Sequence, residues 1–99
     1  MDCVLRNLGS RLGDRSRAVE LRKALEESLM QGGSVRLDFG GVEMVTQSFV
    51  DELVGVPIRK LGIDKLRSIS FRNCSQGIKS VIAVVVDYSA RHPVAAQKA

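Results

Sequence analysis

Aromatic residues are scarce in this 99-residue chain, at 4%, and Trp is absent. The chain therefore lacks the aromatic platform on which proteins stack single-stranded nucleic acid, and its core must consist of Leu, Val and Ile. It has a single His, His92, and two widely separated cysteines, Cys3 and Cys74, which we expect to be reduced. Neither metal-ligand spacing nor a Ser/His/Asp or Cys/His catalytic set can be built from them. We expect no metal, no cofactor and no enzymatic activity.

Long hydrophobic runs are also missing. The longest, residues 80–86, is too short to span a bilayer, and the N-terminus lacks the apolar stretch of a signal peptide. The glycines match neither GxGxxG nor the phosphate-binding loop pattern. These absences predict a cytoplasmic protein without membrane attachment or a nucleotide site of its own.

Charge is present but unevenly distributed along the chain. There are 15 basic and 11 acidic residues, giving a net charge of +4. Residues 37–56, here called the acidic island, hold four carboxylates and no Lys or Arg, whereas residues 57–99 carry eight basic and two acidic residues, a net charge of +6. Because the basic residues are scattered singly, they favour a solvated surface, and a nucleic-acid partner is disfavoured. The carboxylates of the island are Asp38, Glu43, Asp51 and Glu52.

Hydrophobic periodicity predicts alternating strands and helices. A first helix is expected from a cap at Asp14 or Ser16 to about Met30. Alternation of apolar and charged residues predicts a strand over residues 35–39, while the chain at 42–45 packs as it turns. The expected later elements are a strand over residues 66–72 and a helix over 76–90, where the Val and Ile density also fits a strand.

The clearest pattern lies in the middle of the chain. Ser48 is a suitable N-cap for a helix, and Asp51 follows at the acidic place of a capping-box-like start. Gly55 and Pro57 should kink or interrupt this helix, and Gly62 should end it. Its inner face follows the spacing i, i+3, i+4, i+7, i+8, i+11 at Val50, Leu53, Val54, Pro57, Ile58 and Leu61.

With a weak strand near Val4 and Leu5, the expected order is β-α-β-α-β-α. This order predicts the α/β class, with a small, mainly parallel sheet of about three or four strands. A chain of this length forms one domain, which we place at residues 1–92, followed by a frayed tail at 93–99. The exposed edges of such a sheet also allow pairing with a second copy of the chain.

The segment LDFGGVEMVTQSFVDELVG, residues 37–55, combines a strand ending in Asp-Phe, a Gly-Val turn and a Ser-Phe-Val-Asp-Glu-Leu helix start. It resembles the STAS-like domain family of unknown function, and the resemblance extends less specifically over most of the chain. The residues that carry it are Asp38, Phe39, Gly41, Val42, Ser48, Phe49, Asp51, Glu52 and Leu53.

That family is in turn similar to the STAS domains of bacterial anti-sigma factor antagonists, which bind a GHKL-type ATPase or kinase and are switched by phosphorylation. Their Asp-Ser-Ser-Gly-Leu motif falls on residues 46–50, which places Ser48 at the phosphoacceptor. Thr46 stands where those proteins have an acidic residue, and Phe49 stands where they have Gly. A role as N-cap alone would also account for Ser48.

The leading hypothesis is a non-enzymatic, STAS-like regulatory module that binds a protein partner through its helix start. The resemblance implies a GHKL-type ATPase or kinase as partner, with any ATP held by that partner and Ser48 as a phosphoacceptor. The acidic island would orient the partner. The alternative is a small basic nucleic-acid-associated protein that uses residues 57–99. The expected partner-binding residues are Thr46, Gln47, Ser48, Phe49, Asp51 and Glu52.

Overall fold

The computed structural model describes residues 1–94, which contain five short strands and four helices. The strands are β1 (Asp2–Val4), β2 (Arg11–Leu12), β3 (Val35–Asp38), β4 (Met44–Val45) and β5 (Ile69–Arg72). The helices are α1 (Val19–Met30), α2 (Gln47–Val50), α3 (Val56–Leu61) and α4 (Gln76–Arg91), with a π-helical turn at Asp51–Gly55 and 3-10 turns at Leu5–Leu8, Arg15–Ala18 and Ile63–Ser68.

Three of the strands form a parallel sheet in the order β1-β3-β5. Cys3, Leu37 and Phe71 lie side by side across this sheet. Its strands can be parallel because each is reached through a helical connection rather than a hairpin. Val35 and Leu37 of the central strand are buried whereas Arg36 between them is exposed, so helices cover one face and the other is open to solvent. The predicted α/β class with a small, mainly parallel sheet is confirmed.

A second, two-stranded parallel sheet joins β2 to β4, with Leu12 opposite Val45. The chain at residues 42–45, expected to pack as it turns, thus includes a strand, which the sequence did not predict because strands of two residues have no readable periodicity. Both Leu12 and Val45 are buried. This pairing holds the chain immediately before α2, where the backbone N–H of Thr46 donates to the carbonyl of Leu12 at 3.1 Å.

Two predicted boundaries are wrong. The first helix does not begin at a side-chain cap, since a 3-10 turn, Arg15–Ala18, leads into α1 and Asp14 makes no capping bond. The expected strand over 66–72 begins only at Ile69, opposite Val35, because β5 matches the four residues of its partner β3. Residues 63–68 instead form a 3-10 turn.

The last helix is confirmed as a helix, and Ser75 caps it by accepting a hydrogen bond from the backbone N–H of Ile78 at 3.2 Å. The core is built mainly from Leu, Val and Ile with two buried rings, Phe39 and Phe49. Of the helices in residues 1–94, none is both long and apolar enough to cross a membrane. Of the predicted frayed tail, residues 95–99 lie outside the described residues.

Candidate functional site

The middle helix begins at Thr46, not at Ser48. Thr46 has extended backbone angles, and its Oγ1 accepts a hydrogen bond from the backbone N–H of Phe49 at 3.2 Å while its hydroxyl donates to the carbonyl of Gly13 at 2.9 Å. Because β4 ends at Val45, the chain turns into the helix two residues earlier than the Ser48–Asp51 pattern predicted. The expected N-cap role of Ser48 is therefore wrong, and its hydroxyl is not required for capping.

Ser48 lies in the first turn of α2 and is exposed. It borders a cleft of about 300 Å³ between α2 and α4, which we call the Ser48 cleft. Val84 and Tyr88 of α4 are 50% and 53% exposed, although both are large apolar or aromatic side chains. The cleft thus combines a free hydroxyl, an apolar wall and paired charges. Its lining residues are Arg15, Gln47, Ser48, Asp51, Val84, Val85 and Tyr88.

The predicted interruption of the middle helix is a π-helical turn, Asp51–Gly55, and Pro57 follows it in the first turn of α3. Gly55 is buried against α4. A Cβ at this position would collide with the carboxylate of Asp51 and lie only 2.9 Å from Ser89 Oγ and 3.0 Å from Val85 Cγ1. The absence of a side chain at Gly55 therefore allows α4 to approach the turn and close the cleft.

Arginines from three parts of the chain hold the two adjacent carboxylates of the π-helical turn. Asp51 Oδ1 accepts from Arg59 Nη1 at 2.7 Å, and Asp51 Oδ2 accepts from Arg15 Nη1 at 3.0 Å. Glu52 Oε2 accepts from Arg22 Nε at 2.9 Å, and Glu52 Oε1 accepts from Arg15 Nη1 at 3.1 Å. Arg15 bridges both carboxylates, and each carboxylate also has an arginine of its own.

This network continues into α1 through Glu26, whose Oε1 accepts from both Arg22 and Lys60 at 3.0 and 3.1 Å. Glu26 and Glu52 are each 8% exposed, and buried charge persists in proteins only when it is paired. One oxygen, Glu26 Oε2, is buried without a hydrogen-bond partner. We call this network the charged cluster; its members are Glu26, Asp51, Glu52, Arg15, Arg22, Arg59 and Lys60.

Burial alone would raise the pKa of Asp51, but hydrogen bonds from Arg59 and Arg15 outweigh it and hold this pKa below its usual value. The pKa of Glu52 is lowered in the same way, with burial opposed by Arg22 and Arg15. The pKa of Arg15 is raised by the hydrogen bonds to Glu52 and Asp51. Both carboxylates are therefore ionised at neutral pH, and neither has the raised pKa of a general acid.

The acidic island does not form an acidic surface. Besides Asp51 and Glu52, its carboxylates include Asp38, whose Oδ1 accepts from the Gly40 N–H at 2.8 Å and from Asn73 Nδ2 at 2.9 Å, and Glu43, whose carboxylate lies 3.6 Å from Arg11. Cations from outside the island thus pair with Glu43, Asp51 and Glu52, whereas Asp38 is held by neutral donors.

The helix start and most of the charged cluster lie within one recognisable sequence segment, whereas Arg15 and the α4 wall of the cleft lie outside it. A family model described as a STAS-like domain of unknown function (DUF4325) matches residues 17–79, more than half of the chain. The chain belongs to this family. Comparisons with curated proteins and with solved structures found no match. The matched segment of the STAS-like domain includes every member of the charged cluster except Arg15, which precedes it by two residues.

The predicted partner-binding residues of the STAS-like domain are divided by the fold. Gln47, Ser48 and Asp51 meet in the Ser48 cleft, whereas Thr46 is occupied as the helix cap. Phe49 is 0% exposed and anchors the helix start in the core, which removes it from direct contact with a partner. Glu52 is buried in the charged cluster and supports the cleft from behind.

Sequence reasoning missed three residues that complete the cleft. Arg15 is one of the singly scattered basic residues expected on a solvated surface, yet it bridges Asp51 and Glu52 across 36 and 37 positions. Val84 and Tyr88 belong to α4, which has so many apolar residues that the sequence does not indicate which of their side chains stay exposed. Of these three residues, only Tyr88 stands out in the sequence, because it is the single tyrosine of the chain.

Proposed function

We propose that this STAS-like domain is a non-enzymatic regulatory module that binds a partner protein at the Ser48 cleft. The observation that carries the proposal is an exposed serine on α2 beside the exposed Val84 and Tyr88 of α4. Aromatic and apolar side chains around a cleft are typical of the residues that supply binding free energy at protein interfaces. The paired charges behind the cleft fix its shape, because every carboxylate at the helix start is held by arginine.

The proposed partner is a GHKL-type ATPase or kinase. This class follows from the similarity between the family and the STAS domains of anti-sigma factor antagonists, whose phosphoacceptor position aligns with Ser48. ATP would be held by the partner, so the domain itself needs no nucleotide site.

Phosphorylation of Ser48 would switch the binding. Ser48 Oγ would form a bond to the γ-phosphorus of ATP on the partner as the bond to the β-phosphate oxygen breaks; ADP leaves, and the hydroxyl proton passes to a base on the partner. The product carries about two negative charges in the cleft. Repulsion by Asp51 and Glu52 is reduced because arginines neutralise both carboxylates.

Arg15 is the cation best placed to respond to that phosphate. Its side chain is half exposed and lines the cleft together with Ser48. If Arg15 turned to a phosphate, Asp51 would keep Arg59 and Glu52 would keep Arg22, so neither carboxylate would be left unpaired. The switch would thus exchange one contact of Arg15 for another rather than open the core.

Isothermal titration of the domain into a purified GHKL-type ATPase from the same genome tests the docking surface. Val84→Arg should weaken binding at least about tenfold, equal to about 1.4 kcal/mol, because it places a charge on the apolar wall. Ala83→Arg is the matched control, since Ala83 is exposed on the same helix but does not line this cleft, and it should leave the affinity within about twofold. Absence of binding by the unmodified domain, or equal loss in both variants, contradicts the proposal.

Incubation with the ATPase and ATP, followed by mass spectrometry of peptides, tests the modification. The expected product is one phosphate on Ser48, lost in Ser48→Ala and retained in Ser70→Ala, which alters an exposed serine on the open face of the sheet. Ser48→Asp should weaken binding to the ATPase, whereas Ser70→Asp should not. Phosphate that remains in Ser48→Ala would show that another residue is the acceptor.

A further inference from the structure

A second concavity, of about 450 Å³, lies on the other side of α4, and we call it the β5 groove. Its walls are Leu66, Ile69 and Phe71 from the sheet side and Ile82, Ala83 and Val86 from α4. Cys74 also lines the groove, and burial raises the pKa of its thiol against a smaller opposing effect of Lys79. The thiol is therefore neutral at neutral pH, and Lys79 is the one charged residue among those that line the groove in the described chain.

The groove runs beside an unpaired strand edge. Within residues 1–94, β5 pairs with β3 on one side and with no strand on the other. A strand at the edge of a sheet leaves alternate backbone N–H and C=O groups free to bind another chain. Proteins that bind extended peptides combine such an edge with apolar pockets that accept every second side chain.

The charges around this groove are mostly positive. Residues 64–86, which include its lining residues, carry four cations and one carboxylate, Asp64. In contrast to the arginines of the charged cluster, these cations form no salt bridge within the described part of the chain. Their net positive charge favours an acidic ligand. The four are Lys65, Arg67, Arg72 and Lys79.

We propose that the β5 groove binds an extended segment of a partner protein in which apolar side chains alternate with acidic ones. The segment adds to the sheet as a strand next to β5, and its apolar side chains enter the groove. The acidic side chains between them project from the opposite, open face of the sheet, where Arg72 of β5 is exposed. A second copy of this chain fits less well, because its own β5 edge carries the same positive charge. The proposed surface is separate from the Ser48 cleft and does not depend on it.

The size of the edge sets the length of the ligand. Four residues of β5 span about 13 Å at about 3.3 Å per residue, so a segment of about six to eight residues covers the edge and its flanks. Backbone hydrogen bonds alone would accept any extended sequence. The groove selects apolar residues at every second position, and Arg72 on the open face selects acidic residues at the positions between them.

Selection from a random twelve-residue peptide library displayed on phage, with the full-length domain as bait, tests the proposal. The selected sequences should alternate apolar and acidic residues. By isothermal titration, a selected peptide should lose at least about tenfold in affinity with Ala83→Arg, which adds bulk and charge to the wall, and with Arg72→Glu, which reverses the charge on the open face beside the added strand. Val84→Arg, on the neighbouring position but facing the Ser48 cleft, should leave the affinity within about twofold.

Several outcomes would overturn the proposal. They are the failure of any peptide family to be enriched, selected peptides without acidic residues, and affinity unchanged by Ala83→Arg. A concentration-dependent dimer in sedimentation that Ala83→Arg dissociates would assign the groove to a second copy instead. Circular dichroism of each variant checks that the fold is intact. Because Val84→Arg and Ala83→Arg exchange roles between the two surfaces, failure here is distinguishable from failure of the docking proposed for the Ser48 cleft.

Discussion

The charged residues on the two sides of α4 differ in whether they form salt bridges. On the side of the Ser48 cleft, carboxylates that are adjacent in sequence are each held by two arginines. On the side of the β5 groove, apolar walls are bordered by cations that form no salt bridge within residues 1–94. The segment with negative charge in the sequence thus builds a site in which Asp51 and Glu52 are paired with arginines, and the unpaired positive charge lies on the other side of α4.

This difference follows from burial. Asp51 and Glu52 sit where α1, the π-helical turn and α4 meet, so desolvation makes unpaired carboxylates costly and requires cations. The cations around the β5 groove are at the margin of the fold and stay hydrated, which requires no partner. Charge counted along a sequence therefore predicts a surface only where the side chains remain exposed.

The largest effect is expected at the contact between α4 and the π-helical turn. Gly55→Ala should lower the free energy of unfolding by about 1–3 kcal/mol, because its Cβ meets Asp51, Ser89 and Val85. Gly77→Ala is the matched control within α4, since nothing lies within 4 Å of its Cβ, and should stabilise by up to about 1 kcal/mol through helix propensity. Equal effects in urea denaturation would contradict the close approach at Gly55.

Acid should destabilise the domain through the charged cluster and not through the cations around the β5 groove. The folded pKa values of Asp51 and Glu52 lie below their ordinary values of 3.8 and 4.5, so the folded state binds fewer protons than the unfolded state. Their contribution is complete above about pH 5 and is lost as the pH falls through the lowered values. Urea titrations at pH 7 and pH 3 should show a smaller acid loss in Asp51→Asn/Glu52→Gln, although this variant is less stable at pH 7.

Glu20→Gln provides the comparison for the acid experiment, because Glu20 is exposed and only 3.4 Å from the equally exposed Lys23. Its acid loss should match that of the unmodified domain. If Asp51→Asn/Glu52→Gln keeps the full acid loss, the arginine pairing does not set the pH dependence.

The smallest effects separate the cap from the exposed serine. Thr46→Ala should cost about 1 kcal/mol, because it removes the acceptor for the Phe49 N–H and the donor to Gly13. Ser48→Ala should change the free energy of unfolding by less than about 0.5 kcal/mol, as expected of an exposed position. The reverse order of the two effects in thermal or urea denaturation would show that Ser48, not Thr46, caps the helix.

Part of this arrangement could be predicted from the sequence. The i, i+3, i+4 spacing and the Gly55–Pro57 pair located the middle helix and its interruption, because both depend on local periodicity and backbone chemistry. The family resemblance located the segment around Ser48. These signals come from residues that are close together in the sequence, and the structure contains the helix and the interruption that they predict.

The remainder depends on pairs that are distant in sequence. The β2–β4 pairing fixes the chain just before Thr46, but strands of two residues leave no pattern. Arg15 and Arg22 reach Glu52 across 37 and 30 positions, so their role depends on tertiary packing alone. Thr46 and Ser48 both have the chemistry of a cap, and only the end of β4 decides between them.

The central claim is that Ser48, in the first turn of the middle helix, is exposed beside a cleft and is not used as the helix cap. Thiol-labelling rates in a Cys3→Ser/Cys74→Ser background test it, with Ser48→Cys compared with Ser70→Cys as the exposed standard and Ser89→Cys as the buried one. After correction for the thiol pKa of each variant, Ser48→Cys should react as fast as Ser70→Cys in the native protein. A rate as slow as that of Ser89→Cys would mean that position 48 is covered, and the cleft would have no accessible acceptor.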